Sequence, residues 1–215
     1  RLIKEAEELA DAGVKELILV AQETTLYGKD IYGEKSLHKL LKELCKIRGL
    51  YWIRVLYCYP EEIYDELIQT IKEEDKICKY LDLPIQHACD DVLKRMGRRT
   101  SKAQLIEIVE KVRREIPDIT LRTTLITGFP GETEEEFAAA KKYISEIGYS
   151  DMHIFPYSRR EGTPAAAMPD QILKSVKTAR AACGALLAKE LRESFDRAML
   201  GTAQEVLFEQ PEGEF

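Results

Sequence analysis

The sequence predicts an α/β protein with a parallel sheet, and three observations support this fold class. Five short runs of apolar and β-branched residues alternate with segments whose apolar residues recur at helical spacing. The runs lie roughly thirty residues apart, which leaves room for a helix to cross over between parallel strands. Polar residues follow the end of each run, as expected where the carboxyl ends of parallel strands share one edge of a sheet.

The predicted elements cover most of the chain. A first helix is predicted over 1–12, and five strands are predicted over 16–22, 52–57, 79–85, 121–127 and 151–157. The remaining helices are predicted over 36–47, from Pro60, from the capping pair Ser101 and Gln104, from the capping pair Thr133 and Glu136, and over about 171–199. Residues 201–210 are predicted to form a lone strand, which cannot be stable by itself.

The stretch from Leu121 to Thr133 combines a strand, a glycine-rich corner and a helix start. Gly128 and Gly131 allow the backbone to turn sharply or to approach a ligand closely. Acidic residues crowd the first turn of the following helix, and they would repel a phosphate at its N-terminus. The corner therefore either frames a neutral or cationic ligand or only caps the helix.

Composition and charge restrict the function classes. The 215 residues carry a net charge of -6, so strong nucleic-acid binding is not predicted. No apolar run is long enough to span a membrane and no signal peptide is recognisable, which predicts a cytoplasmic protein. The 5 cysteines have no short metal-ligand spacing, so we predict buried free thiols and no metal ligands in this sequence.

Polar residues at the predicted strand ends form the candidate ligand site. They comprise Gln22 to Thr25, Tyr57 to Tyr59, Gln86 and His87, Gly128 to Glu132, and Tyr157 to Arg159. Arg122 is the charged member of an otherwise apolar strand, so an internal carboxylate or a ligand carboxylate should pair with it. A basic run from Lys94 to Lys102 either docks an acidic or nucleic-acid partner or is a solvated surface.

Several motifs together resemble the methylthiotransferases of the radical S-adenosylmethionine superfamily. They occur in the order and spacing of that family, from about Arg1 to Met199: AQETTLYG, VLYCYPEEI, YLDLPIQHACDDVLKRMGRRTS, LRTTLITGFPGETEEEF and FPYSRREGTPAA. The QETT, IQH and RTT sequences resemble the RimO branch, which methylthiolates an aspartate of small-subunit ribosomal protein S-twelve. The MiaB branch, which modifies tRNA, more typically has serine and glycine after the glutamine.

The resemblance implies a fold, cofactors and a site. The fold would be a partial, open TIM-like barrel of the radical S-adenosylmethionine type, with five βα units and the family's first strand missing. S-adenosylmethionine on a 4Fe–4S cluster would yield a deoxyadenosyl radical that abstracts a substrate hydrogen, and a second 4Fe–4S cluster would supply or carry the sulfur. The implied cofactor contacts are Gln22, Thr24, Thr25, Gln86, Arg122, Thr124, Gly128, Gly131, Glu132, Tyr157 and Ser158.

The sequence departs from the family pattern in its cysteines. The family's C-x3-C-x2-C cluster motif is expected a little upstream of Arg1, and none of the 5 cysteines can replace it. We therefore expect residues 1–199 to be a radical S-adenosylmethionine core truncated before its first strand and cluster loop. Residues 200–215 are expected to begin a truncated C-terminal TRAM-like β domain.

A core truncated in this way is expected to be inactive and to carry no iron, although the full-length enzyme would be active.

Two other functions remain open from the sequence. One alternative is a tRNA-adenosine methylthiotransferase of the same superfamily. The other is a non-catalytic barrel that docks proteins through the basic run.

Overall fold

A computed structural model gives the fold and describes residues 1–208. Within these residues the strands are β1 (Glu16–Leu19), β2 (Trp52–Val55), β3 (Tyr80–Gln86), β4 (Thr120–Thr127) and β5 (Asp151–Pro156). The α-helices are α1 (Leu2–Asp11), α2 (Lys29–Tyr32), α3 (Leu37–Cys45), α4 (Asp65–Glu73), α5 (Asp90–Arg95), α6 (Lys102–Glu115), α7 (Glu134–Ile147), α8 (Pro164–Ala167) and α9 (Lys174–Met199). The predicted α/β class with parallel strands is confirmed.

The strands form two hydrogen-bonded groups that adjoin each other. β1 pairs with β2, and β4 lies between β3 and β5, with every pair parallel. A single bridge joins Ile53 to Ile77, and the backbone N–H of Cys58 donates to the carbonyl oxygen of Asp82 over 2.9 Å. The two groups are therefore adjacent, with β2 next to β3.

The alternation along β4 separates a core side from an open face. Its odd-numbered residues from Leu121 to Thr127 are buried, and its even-numbered residues are half-buried. The buried side joins a core that includes Val109 of α6 and Phe137 of α7. This period of two is expected of a strand that is covered on one side only. The opposite side, called the open face below, carries Arg54, Asp82, Arg122, Thr124 and His153.

The predicted capping signals of two helices are confirmed. The side chain of Ser101 accepts from the backbone N–H of Gln104, and Thr133 accepts from that of Glu136. In both cases the side chain at the fourth position accepts in return from the backbone N–H of the cap residue. Each cap contributes roughly 1 kcal/mol, so these helix starts are determined by local sequence.

The predicted end of the first strand is wrong by three residues. β1 ends at Leu19 because the chain then turns toward β2. Thr24 makes this turn through two hydrogen bonds, from its backbone N–H to the carbonyl of Tyr57 and from its hydroxyl to that of Leu56. The predicted strand residues 20–22 therefore lie in a connecting segment at the strand end.

Two other predicted elements also differ from the structure. Pro60 begins only a 3-10 turn, because Ile63 is extended with φ -65° and ψ 139° and α4 starts at Asp65. The lone strand predicted over 201–210 is not formed in residues 201–208, and residues 209–215 lie outside the described part. Among residues 1–208, none of the helices combines the length and the apolar character that a membrane span requires.

Candidate functional site

Glu23 joins the ends of β1 and β2. One carboxylate oxygen accepts from the backbone N–H of Thr25 over 2.9 Å, and the other accepts from that of Tyr59 over 2.8 Å. Burial raises the pKa of Glu23 to about 7, although the two N–H bonds oppose the shift. The carboxylate thereby holds the segment with Thr24 and Thr25 against the neighbouring strand end. Gln22, which precedes it, is exposed.

Two non-glycine residues at strand ends have a left-handed backbone. Tyr57, after β2, has a φ of 57°, and Gln86, at the end of β3, has a φ of 66°. This conformation costs an L-residue roughly 1–2 kcal/mol and is concentrated at ligand sites. The ring of Tyr57 is accessible there, since this residue is 42% exposed. The strained backbone marks this edge of the sheet as the candidate site.

Arg122 pairs with an internal carboxylate, one of the two partners that its position predicts. Its Nε and Nη2 atoms each lie 3.1 Å from an oxygen of Asp82. Asp82 is almost fully buried and also accepts from the backbone N–H of Tyr57 over 3.3 Å. Arg122 keeps 21% of its side chain exposed on the open face, which Thr124 shares. The pair therefore connects β2, β3 and β4.

The glycine corner lies against the start of α9. Gly128 has a φ of 71°, and a Cβ atom there would lie 2.2 Å from Cγ of Lys177. Lys177 donates from Nζ to the carbonyl oxygen of Tyr157 over 2.9 Å. Gly131 has a φ of 74°, and its N–H donates to the carbonyl oxygen of Asp170. Both positions therefore have a left-handed backbone, which glycine adopts without strain.

Glu132 is buried behind the corner. Its Oε2 atom accepts from the backbone N–H of Gly128 over 2.9 Å, and its Oε1 atom lies 2.7 Å from Nη1 of Arg180. Burial raises the pKa of Glu132, although Arg180 and the N–H bonds oppose this shift. The carboxylate therefore orders the corner from inside the protein. Direct contact between Glu132 and a cofactor stays a prediction.

Tyr157 follows β5 at the other end of the site. Its backbone N–H donates to the carbonyl oxygen of Thr127 over 2.8 Å, and its ring meets Phe129 edge-on at 5.3 Å between centroids. Its hydroxyl is buried without a hydrogen-bond partner in residues 1–208, and the hydroxyl of Thr25 is in the same situation. Buried unpaired hydroxyls fit a site whose ligand supplies the missing polar groups. Ser158, the next residue, is exposed.

The strand ends form one continuous row. Backbone bonds connect the turn after β1 to Tyr57 and the end of β4 to Tyr157, while Asp82 connects Tyr57 to β3 and β4. The predicted site residues lie along this row or on the open face beside it. Gln22 and Ser158 are its exposed members, whereas Thr24, Thr25, Gly128 and Glu132 are buried.

The basic run from Lys94 to Lys102 is partly used inside the protein. Nη2 of Arg95 lies 2.8 Å from Glu136, and Nη2 of Arg98 lies 3.3 Å from Glu61. The run has five basic residues, and two of their charges are thus neutralised by partners within the protein. This weakens the interpretation of the run as a docking surface.

Three charged residues that organise the site were not assigned a role from the sequence. Glu23 lies within the candidate segment from Gln22 to Thr25, but its neighbours in sequence give no indication that it binds two backbone N–H groups. Asp82 is charged within an apolar strand, and this same signal singled out Arg122. Arg180 lies in a helix rich in charged residues, where no local signal distinguishes a buried arginine from a solvated one.

Metal ligands do not converge in the described part of the chain. Residues 1–208 contain no group of three or more His, Cys, Asp or Glu side chains that could hold a metal ion. All five cysteines are free, and burial raises the pKa of Cys58 well above its ordinary value. These residues therefore provide no site that fits an iron–sulfur cluster.

Comparison with known proteins identifies the family. Residues 1–144 match the family model of the radical SAM superfamily, and the chain belongs to this superfamily. It is 55% identical to the ribosomal protein uS12 methylthiotransferase RimO of Lachnoclostridium phytofermentans, over 97% of this chain and 48% of that protein. It is also 55% identical to the RimO protein of Clostridium perfringens, over 100% and 48% of the two chains. The chain thus spans about half the length of these relatives.

Solved structures share the fold at low sequence identity. The radical S-adenosylmethionine methyltransferase TsrM from Kitasatospora setae superimposes with a TM-score of 0.61 and 19% identity, over 76% of this chain and 32% of that chain. SuiB from Streptococcus suis, solved with S-adenosylmethionine, gives a TM-score of 0.56 and 13% identity, over 89% and 40%. These likenesses confirm the predicted radical S-adenosylmethionine type of α/β fold.

Proposed function

We propose that the protein containing this chain methylthiolates an aspartate of small-subunit ribosomal protein uS12 by radical S-adenosylmethionine chemistry. The observation that carries this proposal is the 55% identity, across nearly the whole chain, to two proteins named as uS12 methylthiotransferases. Gln22, Gln86 and Arg122, which belong to the RimO-like sequences, lie at the strand ends or on the open face. A cytoplasmic location, where ribosomes are made, is part of the proposal.

The chemistry of the strand ends supports S-adenosylmethionine as the cofactor. It is a cation without phosphate, which suits the acidic first turn of α7. Thr25 and Tyr157 offer buried hydroxyls, while Gly128 and Gly131 let the backbone approach the adenosine. When bound, this cofactor supplies the radical that removes a hydrogen atom from the substrate. The other proposed contacts are Gln22, Thr24, Gln86, Arg122, Thr124, Glu132 and Ser158.

The protein's own residues hold and orient this site. Glu23 holds the turn with Thr24 and Thr25 to the end of β2, and Asp82 holds Arg122 on the open face. Because these carboxylates are tied to partners, the side chains they position lose little further entropy when a ligand binds. The proposed protein would use two 4Fe–4S clusters, but we assign no cluster ligand within residues 1–208.

Mass spectrometry of ribosomal protein uS12 tests the proposed function. The gene product that contains these 215 residues would be reconstituted with iron and sulfide, then incubated anaerobically with uS12, S-adenosylmethionine and a reductant. We expect one methylthio group on an aspartate. Gln22→Ala should abolish most of this product, whereas Gln69→Ala, at an exposed position of α4, should leave it unchanged.

Other products would contradict the proposal in distinct ways. A methylthio group on tRNA adenosine and none on uS12 would assign the protein to the tRNA-modifying branch. Binding to the small ribosomal subunit that needs no cofactor, with no product on either substrate, would favour the non-catalytic docking function.

A further inference from the structure

His87 is buried beside the glycine corner and is not among the proposed cofactor contacts. Its side chain is 0% exposed, and it directly follows Gln86 with its left-handed backbone. Nδ1 accepts a hydrogen bond from the backbone N–H of Cys89 over 3.0 Å. Because an accepting ring nitrogen carries no hydrogen, the proton of the neutral ring lies on Nε2.

Nε2 faces the carboxylate that supports the corner. It lies 3.7 Å from Oε2 of Glu132, which is too long for a hydrogen bond, and it has no other partner among residues 1–208. The same Oε2 atom accepts from the backbone N–H of Gly128, and Oε1 is paired with Arg180. The Glu132 carboxylate is therefore bonded by neighbouring N–H donors, and the His87 donor stands outside bonding distance.

Burial keeps the ring of His87 neutral, because it lowers the pKa of the imidazole. Burial lowers its pKa to about 4, and Arg95 and Arg180 add to this shift while Glu136 opposes it. Glu132 faces the ring from the corner and is paired with Arg180 from α9. A neutral N–H beside a buried carboxylate can stabilise the anion without adding another charge to the interior.

We propose that His87 is a positioning residue for the cofactor site, acting through Glu132 on the backbone of Gly128. The inference rests on the proposed function, since it concerns the site assigned to S-adenosylmethionine. A shift of about 0.7 Å would bring Nε2 within bonding distance of Glu132, and this proposal assigns that shift to a ligand seated against the corner. The ends of β3 and β4, with Gln86 and Gly128, then hold the ligand as one unit.

Two substitutions of His87 separate its two hydrogen-bonding atoms. His87→Asn keeps an acceptor near the position of Nδ1 for the Cys89 N–H but removes the donor toward Glu132. His87→Gln instead places an amide N–H near the position of Nε2. In the gene product that contains this chain, reconstituted with iron and sulfide, we expect the Kd for S-adenosylmethionine to rise roughly tenfold in His87→Asn and to stay close to the unsubstituted value in His87→Gln.

NMR of the histidine rings distinguishes a role in the cofactor site from a purely structural role, because only the former predicts a change in the Nε2 proton of His87 when the cofactor is added. The chain has 3 histidines, so ¹⁵N-labelled histidine resolves His38, His87 and His153 individually. We expect the His87 ring to remain in the Nε2–H form down to about pH 5 and its Nε2 proton to shift downfield when S-adenosylmethionine is added. His38, which lies on α3 and contacts Tyr64, should not respond.

Amide hydrogen exchange of Gly128 separates this inference from the proposed function. With S-adenosylmethionine bound, exchange should be roughly tenfold faster in His87→Asn than in the unsubstituted protein, and close to normal in His87→Gln. Unchanged exchange and an unchanged Kd in His87→Asn would overturn the inference and leave the proposed function standing. If the unsubstituted gene product that contains this chain, reconstituted with iron and sulfide, binds no S-adenosylmethionine, the proposed cofactor site fails, and with it the role of His87 there. If His87→Asn does not fold, the NMR shift and His87→Gln decide.

Discussion

The carboxylate of Asp82 should carry a large share of the stability at the junction of the two strand groups. In Asp82→Ala, Arg122 loses the oxygens that lie 3.1 Å from its Nε and Nη2 atoms, and Tyr57 loses an acceptor at 3.3 Å. Removing one member of a buried ion pair costs roughly 3–5 kcal/mol. Because Arg122 is 21% exposed, water can solvate it in part, so we expect a loss of about 3 kcal/mol.

Urea and thermal unfolding of the variants measure this loss. For a chain of this size, about 3 kcal/mol corresponds to a decrease in Tm of roughly 6–12 °C. Asp82→Asn, which keeps an acceptor for Tyr57, should lose less than Asp82→Ala. The control is Glu146→Ala, which removes an exposed pair with Lys142 at 3.7 Å and should cost no more than about 0.5 kcal/mol. Equal losses in Asp82→Ala and the control would refute the reasoning.

Two further predictions concern the glycine corner and its buried histidine. Gly128→Ala and Gly148→Ala share the cost of a positive φ, but only the new Cβ at position 128 meets Lys177. Urea unfolding should therefore show a loss of stability about 1 kcal/mol larger for Gly128→Ala than for Gly148→Ala. Equal losses in the two variants would rule out the steric cause. The lowered pKa of His87 means that the unfolded state binds more protons between pH 6.5 and about 4, so stability should fall by about 3 kcal/mol as pH decreases through this range. The free energy of unfolding of the His87→Gln variant should lack this part of the pH dependence. The same pH profile in the variant and the unsubstituted chain would contradict the prediction.

Features that depend on neighbours in sequence were predicted well. The capping boxes at Ser101 and Thr133 require only residues three positions apart, and both are formed. The sharp backbone turn that the glycines at 128 and 131 predict is also formed, with a positive φ at both. Strand ends were predicted less well, because the end of β1 depends on hydrogen bonds from Thr24 to residues more than thirty positions away.

Assignments of partners to charged residues could not be made from the sequence. Arg122 was predicted to meet an internal or a ligand carboxylate, and the register of β3 beside β4 places Asp82 against it. Arg98 was singled out as part of a possible docking surface, whereas it lies 3.3 Å from Glu61. In each case the partner lies between 37 and 40 positions away, so only the packing of elements brings the two charges together.

The sequence by itself determined the order of strands and helices, the glycine corner and the family resemblance, since each is written in short motifs whose spacing is visible along the chain. Tertiary structure alone decided the pKa of Glu23, the left-handed backbone of Gln86 and the burial of His87 against Glu132. Those properties depend on desolvation and on distances between separate elements. Both quantities acquire a value only when the chain is folded.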